Sequence, residues 1–151
     1  MPDLRTPAFS AVKILSPDDY AIFKTALNAG RHPGFVGRDN YCRCAAGGGA
    51  LLFFAEGKPV AVALMNCKKN ALIALNVEPE FRGRGFGKMC LQYLKPNWVR
   101  AIESSIPFFE SMGFQRVGAL KVGRTLKTAI MVRGDLIGLA GRLENILRAR
   151  T

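Results

Sequence analysis

Ala71-Leu-Ile-Ala-Leu-Asn-Val77-Glu-Pro-Glu-Phe-Arg82-Gly-Arg-Gly-Phe-Gly-Lys88 says more about this chain than any other segment. An apolar run from Ala71 to Val77 feeds a loop dense in glycine and arginine, and a helical stretch from Lys88 to Leu94 leaves it. Strand, loop and helix in that order gather unpaired backbone N–H groups and the positive end of a helix dipole at one spot. Such a spot suits a phosphate-bearing ligand. Gly83, Gly85 and Gly87 allow tight turning and close approach, while Arg82, Arg84 and Lys88 add positive charge. The two common nucleotide loops are excluded. The Gly-Lys-Ser/Thr ending of a Walker loop is missing, and the glycines do not follow the Gly-x-Gly-x-x-Gly spacing of a dinucleotide fold.

Arg82-Gly83-Arg84-Gly85-Phe86-Gly87, introduced by Val77-Glu78-Pro79, resembles the acetyl-CoA loop of the GNAT N-acetyltransferase superfamily. That family's pattern is Arg/Gln-x-x-Gly-x-Gly/Ala. A second match follows: Ile106-Pro-Phe-Phe-Glu-Ser-Met-Gly113-Phe114 is similar to the family's short late helix, often written Leu-Tyr-Glu-Lys-Leu-Gly-Phe. Ser104 or Ser105 suits its cap, Pro107 its first turn and Gly113 its left-handed end. The resemblance covers about Ala50 to Gly118. It implies an α/β (α+β) GNAT fold, with a central, mainly antiparallel mixed sheet splayed where the cofactor lies. It also implies acetyl-CoA, or another acyl-CoA, held by Val77, Arg82, Gly83, Arg84, Gly85, Phe86, Gly87 and Lys88. The chain departs from the family at one chemically important place. Phe109 stands where many members carry the tyrosine that protonates the departing thiolate, and Ile102 lies near a frequent asparagine.

The resemblance further implies direct attack of an amine on the thioester, whose carbonyl is polarised by backbone N–H groups near Val77. Glu103 is the candidate base, Ser105 the candidate donor to the thiolate, and Asn76 the residue expected to orient the acceptor.

At 151 residues and 49% hydrophobic content, the chain reads as one domain with a substantial core. The core is expected over about 11–133 and an added C-terminal helix over about 135–150, carrying Leu136, Leu139, Leu143, Ile146 and Leu147. This helix either covers a sheet edge or serves a homodimer or partner. No apolar run approaches the roughly 20 residues of a membrane span. Met-Pro-Asp-Leu-Arg lacks a signal peptide's apolar core, so a cytoplasmic protein of a bacterium or phage is expected. The four cysteines, Cys42, Cys44, Cys67 and Cys90, read as reduced thiols. Cys42-x-Cys44 near His32 lacks metal-site spacing, and no metal is expected.

The charge is unusual. Lysine and arginine number 22 against 11 acids, giving +11 and a pI near 10.0. From Ser111 to Gly134 lie Arg116, Lys121, Arg124, Lys127 and Arg133 with no acid. Such an excess points to an acidic partner: DNA, tRNA or a ribosomal surface.

Elsewhere the chain predicts a strand over Ala11–Leu15 and a helix opened by Ser16-Pro17-Asp18-Asp19 and ending near Gly30. Arg31 to Gly49 reads as loop, a shortened or lost second helix that leaves the acceptor side open. Ala50–Ala55 and Val60–Met65 form a hairpin through Glu56–Pro59. Trp98–Glu103 reads as a strand, and Phe114–Leu120 with Lys127–Val132 as the closing pair around Gly123. Three functions fit these residues. One is an acetyl-CoA-dependent N-acetyltransferase acting on a protein or tRNA amine. Another is a nucleic-acid modifier similar in kind to the Mom proteins of phage, with His32, Asp39 and Tyr41 on the acceptor side and Lys121, Arg124 and Lys127 on nucleic-acid backbone. The third is a non-catalytic module that binds nucleic acid or an effector.

Overall fold

The computed structural model describes residues 8–28, 36–122 and 126–136, with side chains for all of these but 28, 120–122 and 126–127. Ser16 opens the first helical segment. Its N–H and hydroxyl both donate to the Asp19 carboxylate, at 2.9 and 3.2 Å. A 3₁₀ turn at Pro17–Asp19 then runs into α1, Tyr20–Asn28.

Strands β1 (Ala11–Ile14), β2 (Ala50–Ala55), β3 (Lys58–Asn66), β4 (Ala71–Val77), β5 (Trp98–Ile102), β6 (Phe114–Val122) and β7 (Leu126–Arg133) form one sheet of order β1-β2-β3-β4-β5-β7-β6. Every neighbouring pair is antiparallel except β4 and β5. This is the expected mainly antiparallel mixed sheet. The β2–β3 connection is tighter than the sequence suggests. Only Glu56 and Gly57 turn, both with positive φ (52° and 77°), which matches the twist of the flanking strands. Lys58 and Pro59 already belong to β3.

The helices cover both faces. On one, α1 and α2 (Arg38–Ala46) pack Phe23, Leu27, Tyr41, Cys44 and Ala45 onto Val62 and Leu64 of β3. On the other, α3 (Phe86–Leu94) and α4 (Ile106–Ser111) bury Phe86, Cys90, Leu91 and Phe109 against Phe53, Leu72, Val99 and Met131. Each fully buried large side chain contributes about 1.5–3 kcal/mol, so the two faces together supply most of the folding drive.

α2 corrects the sequence reading, which has loop from Arg31 to Gly49. Its apolar residues are few but well spaced: Tyr41, Cys44 and Ala45 share one buried face, while Arg38, Asp39 and Arg43 mask the periodicity from outside. Tyr41 clamps the helix in place. Its ring packs on Phe23 with centroids 4.8 Å apart, and its hydroxyl donates to the Ser16 carbonyl at 2.7 Å. Arg38–Ala46 is therefore a helix packed on β3 and not the open loop the sequence suggests. Two other boundaries move: α3 begins at Phe86, ahead of Lys88, and β5 ends at Ile102, with Glu103–Ser105 forming a 3₁₀ turn before α4. Gly123, Arg124, His32 and the expected helix beyond Leu136 lie outside the described residues.

Candidate active site

β4 and β5 pair only at Ala71↔Trp98 and Leu72↔Val99. Beyond that point β4 stays with β3 and β5 stays with β7, so the two strands part in a V. The register of β4 on β3 slips where Leu64 opposes Ala74 and Met65 opposes Leu72, leaving Ile73 as the extra residue of a bulge. A bulge bends its strand and sharpens the local twist, which accounts for pairing with β5 ending there. The Glu78 N–H donates to Val60 at 2.8 Å, so alternation along β4 turns the N–H and C=O of Leu75 and Val77 away from β3 and into the V.

The V opens into a cavity of about 560 Å³. Its walls are the Ile73–Val77 edge, the loop and first turn of α3, the Ile102–Phe109 segment with Ser104, Ser105 and Phe108, and Arg100, Thr128 and Leu27. Gly85 caps α3 in the left-handed region at φ 87°, so the loop swings back over the helix start and bares its N–H groups. At Gly87 a Cβ would meet the Phe108 ring at 3.1 Å, so the missing side chain lets α3 and α4 close around the cavity.

Of the residues expected to hold the cofactor, Val77, Arg82, Gly83, Gly85, Phe86, Gly87 and Lys88 all line the cavity. Arg84 does not. It lies exposed, with its guanidinium 5.5 Å over the Phe81 ring. Arg82 is tied to the strand it follows: Nε donates to the Val77 carbonyl and Nη2 to Asn76 Oδ1, both at 3.0 Å. Asn76 is buried, and its Nδ2 donates to the Ala26 carbonyl of α1 at 3.0 Å. Its amide is thus engaged at both ends and joins α1 to the glycine loop.

The expected catalytic residues separate. Ser105 lines the cavity, with its hydroxyl donating to the Ile102 carbonyl at 2.9 Å. Glu103 is exposed and does not line the cavity, although its chain neighbours Ile102 and Ser104 do. Phe109 lines the cavity but is otherwise core, edge-on to Phe108 and Phe114 with centroids 5.1 and 5.9 Å away. Glu78 lines a different, shallower groove beside α1. Burial, and then the charge of Glu80, raise its carboxyl above the usual range against the lowering pull of Arg82. Tyr41 is fully buried and Asp39 is exposed on α2, and neither lines the cavity. Lys121 and Lys127 are register partners in β6 and β7. Cys42 and Cys44, two residues apart on α2, differ in exposure: the first is half-buried, the second buried.

Sequence reading missed Arg100, Thr128, Leu27 and Phe108 as cavity residues. Arg100 had a signal, being the lone charge within the apolar strand Trp98-Val-Arg-Ala-Ile102. The others look like ordinary core positions until the V is known.

The model of the acetyltransferase (GNAT) domain family matches residues 48–116. Solved structures share the fold. Naa50 of Arabidopsis thaliana, in complex with the bisubstrate analogue CoA-Ac-MVNAL, is 16% identical with a TM-score of 0.60, over 80% of this chain and 96% of that one. The PaiA N-acetyltransferase of Thermoplasma acidophilum, in complex with coenzyme A, is 12% identical with a TM-score of 0.54, over 82% and 98%. The ribosomal-protein-alanine N-acetyltransferase of Escherichia coli is 18% identical with a TM-score of 0.54, over 80% and 90%. No curated protein matches the sequence. The glycine loop and the splayed strand β4 lie within the stretch, residues 48–116, that matches the acetyltransferase (GNAT) domain model, and the sheet around them has the fold of these solved structures.

Proposed function

We propose that the protein is an acyl-CoA-dependent N-acyltransferase that moves an acetyl group from acetyl-CoA to an amine. The observation that carries this reading is the V between β4 and β5, with an unpaired strand edge on one side and the open start of α3 at its mouth. The pyrophosphate belongs at the N–H groups of Gly83–Lys88, and the pantetheine amides at the Leu75 and Val77 edge. The CoA complex of the Thermoplasma acidophilum enzyme and the CoA analogue complex of the Arabidopsis thaliana protein, both of this fold, support the same ligand.

The amine nitrogen attacks the thioester carbon, the C–S bond breaks, and CoA leaves as thiolate. Oriented binding and backbone N–H groups facing the carbonyl oxygen lower the barrier. An ammonium acceptor must first lose a proton, which Glu103, flanked in the chain by cavity-lining Ile102 and Ser104, takes directly or through water. Phe109 has no proton to give, so the thiolate is protonated by solvent or by way of Ser105.

The net charge of +11 supports an acceptor that is acidic or belongs to an acidic macromolecule. A nucleic-acid acceptor predicts binding that weakens steeply with salt as counterions are released. Calorimetric titration with acetyl-CoA tests the cofactor. Saturable one-to-one binding is expected, and none at millimolar ligand removes the reading. Glu103→Gln should lower turnover by about a hundredfold.

A further inference from the structure

Arg100 sits in the wrong company for a structural cation. Along β5, Val99 and Ala101 are buried under α3 and α4, so alternation sends Arg100 to the opposite face, where α1 and α2 pack. It stands across from Ile130 of β7 and one residue beyond the last β4–β5 pair, at the closed end of the V. There it lines the cavity with Leu27, Ile73, Ala74 and Ile102. Burial lowers its pKa against a raising pull from Cys44, a buried thiol whose own pKa is pushed up by burial. Among the described residues no carboxylate is within ion-pair distance of Arg100, whereas Arg133 on the neighbouring strand has Asp135 at 3.5 Å. A half-buried guanidinium that faces the cavity with no described carboxylate beside it is partly desolvated, and an incoming anion offsets that cost.

We propose that Arg100 binds an oxyanion, carboxylate or phosphate, carried by the acceptor close to its amine. This rests on the acyl-CoA reading, which also says why the anion is not the cofactor's own. The CoA phosphates belong at the loop, and Ile73 lies four residues back from Val77, about 13 Å at 3.3 Å per residue. The pantetheine arm between them is uncharged. Its reactive end arrives at the closed end of the V, and an acceptor entering from the α1 side meets the thioester and Arg100 together. The planar guanidinium fork fits both oxyanions through paired N–H donors.

The test follows the Arg100 Nε–H resonance, assigned by its loss in Arg100→Gln. The protein is titrated with O-phosphoethanolamine against ethanolamine and with glycine against glycinamide, each with and without CoA. The anionic member of at least one pair should shift the resonance, the phosphate or the carboxylate arm showing which oxyanion is preferred. Arg100→Gln should weaken that probe's binding, followed on β5 amides, by roughly ten- to hundredfold, and Arg100→Lys by less. Ethanolamine and glycinamide, which lack the oxyanion, should bind wild type and variant alike. If neither anion moves the resonance, or Arg100→Gln binds the anionic probes as wild type does, the proposal fails. Calorimetry with acetyl-CoA on the wild type reports separately on the cofactor, so the two failures are distinct.

Discussion

Replacing Asn76 by alanine removes the link between α1 and the glycine loop, and the structure sets the size of the effect. The Asn76 amide makes two bonds of 3.0 Å, one to the Ala26 carbonyl and one from Arg82. Ala26 lies in the last turn of α1, where carbonyls lack intrahelical partners. Leaving that half-buried carbonyl without a donor costs about 1–2 kcal/mol. The Arg82 end is exposed, so water replaces much of the lost bond, and its share is about 0.5 kcal/mol. The sum is about 2 kcal/mol, which lowers a urea midpoint by about 1 M for an m-value near 2 kcal/mol/M. Asn76→Asp should destabilise at least as much, because its new oxygen faces the Ala26 carbonyl. Arg82→Ala should cost less than about 1 kcal/mol alone, and the Asn76→Ala/Arg82→Ala pair less than the sum of the two. A denaturation curve for Asn76→Ala within about 0.5 kcal/mol of wild type would refute the linkage.

Phe109→Tyr places a phenol on the cavity wall. If thiolate protonation limits turnover, kcat should rise by about tenfold or more, and an unchanged kcat shows that another step limits. Gly85→Ala puts a Cβ on a left-handed residue at a cost of about 1–2 kcal/mol, and should weaken acetyl-CoA in calorimetry more than it lowers stability. Gly49→Ala drives its methyl into the Met65 carbonyl oxygen, a backbone atom, and should destabilise by more than about 2 kcal/mol in thermal unfolding. Burial pushes the Cys90 thiol up to about 12 from 9.0. Below about pH 9 it is neutral whether folded or unfolded. As pH rises further the unfolded chain ionises first, so Cys90's contribution to stability is lost between about pH 9 and 12. Exposed Cys67 should react quickly with a thiol reagent at pH 8, and Cys90 only on unfolding.

The loop was legible because its determinants are local. Positive φ at Gly83 and Gly85 and a helix start behind a strand are properties of a few adjacent residues, and they sit in the chain in order. The strands Ala50–Ala55 and Ala71–Val77 were equally plain, since apolar runs between turn residues have few other fates. α2 was not, because polar residues on three sides hide a narrow buried face that only packing on β3 reveals. The roles of Asn76 and Tyr41 were hidden for a similar reason. Their partners, Ala26 and Ser16, lie 50 and 25 residues away, and no local pattern announces which hydrogen bond a buried polar group will make. Glu103 reads as a strand-end acid facing the V, whereas it belongs to the 3₁₀ turn Glu103–Ser105 and does not line the cavity. The strand, loop and helix from Ala71 to Leu94 are written in adjacent residues, as is the resemblance that implies a mainly antiparallel sheet around them. What lines the closed end of the V is not written in any local stretch. That depends on where β4 bulges away from β5, and the bulge comes from register against a third strand.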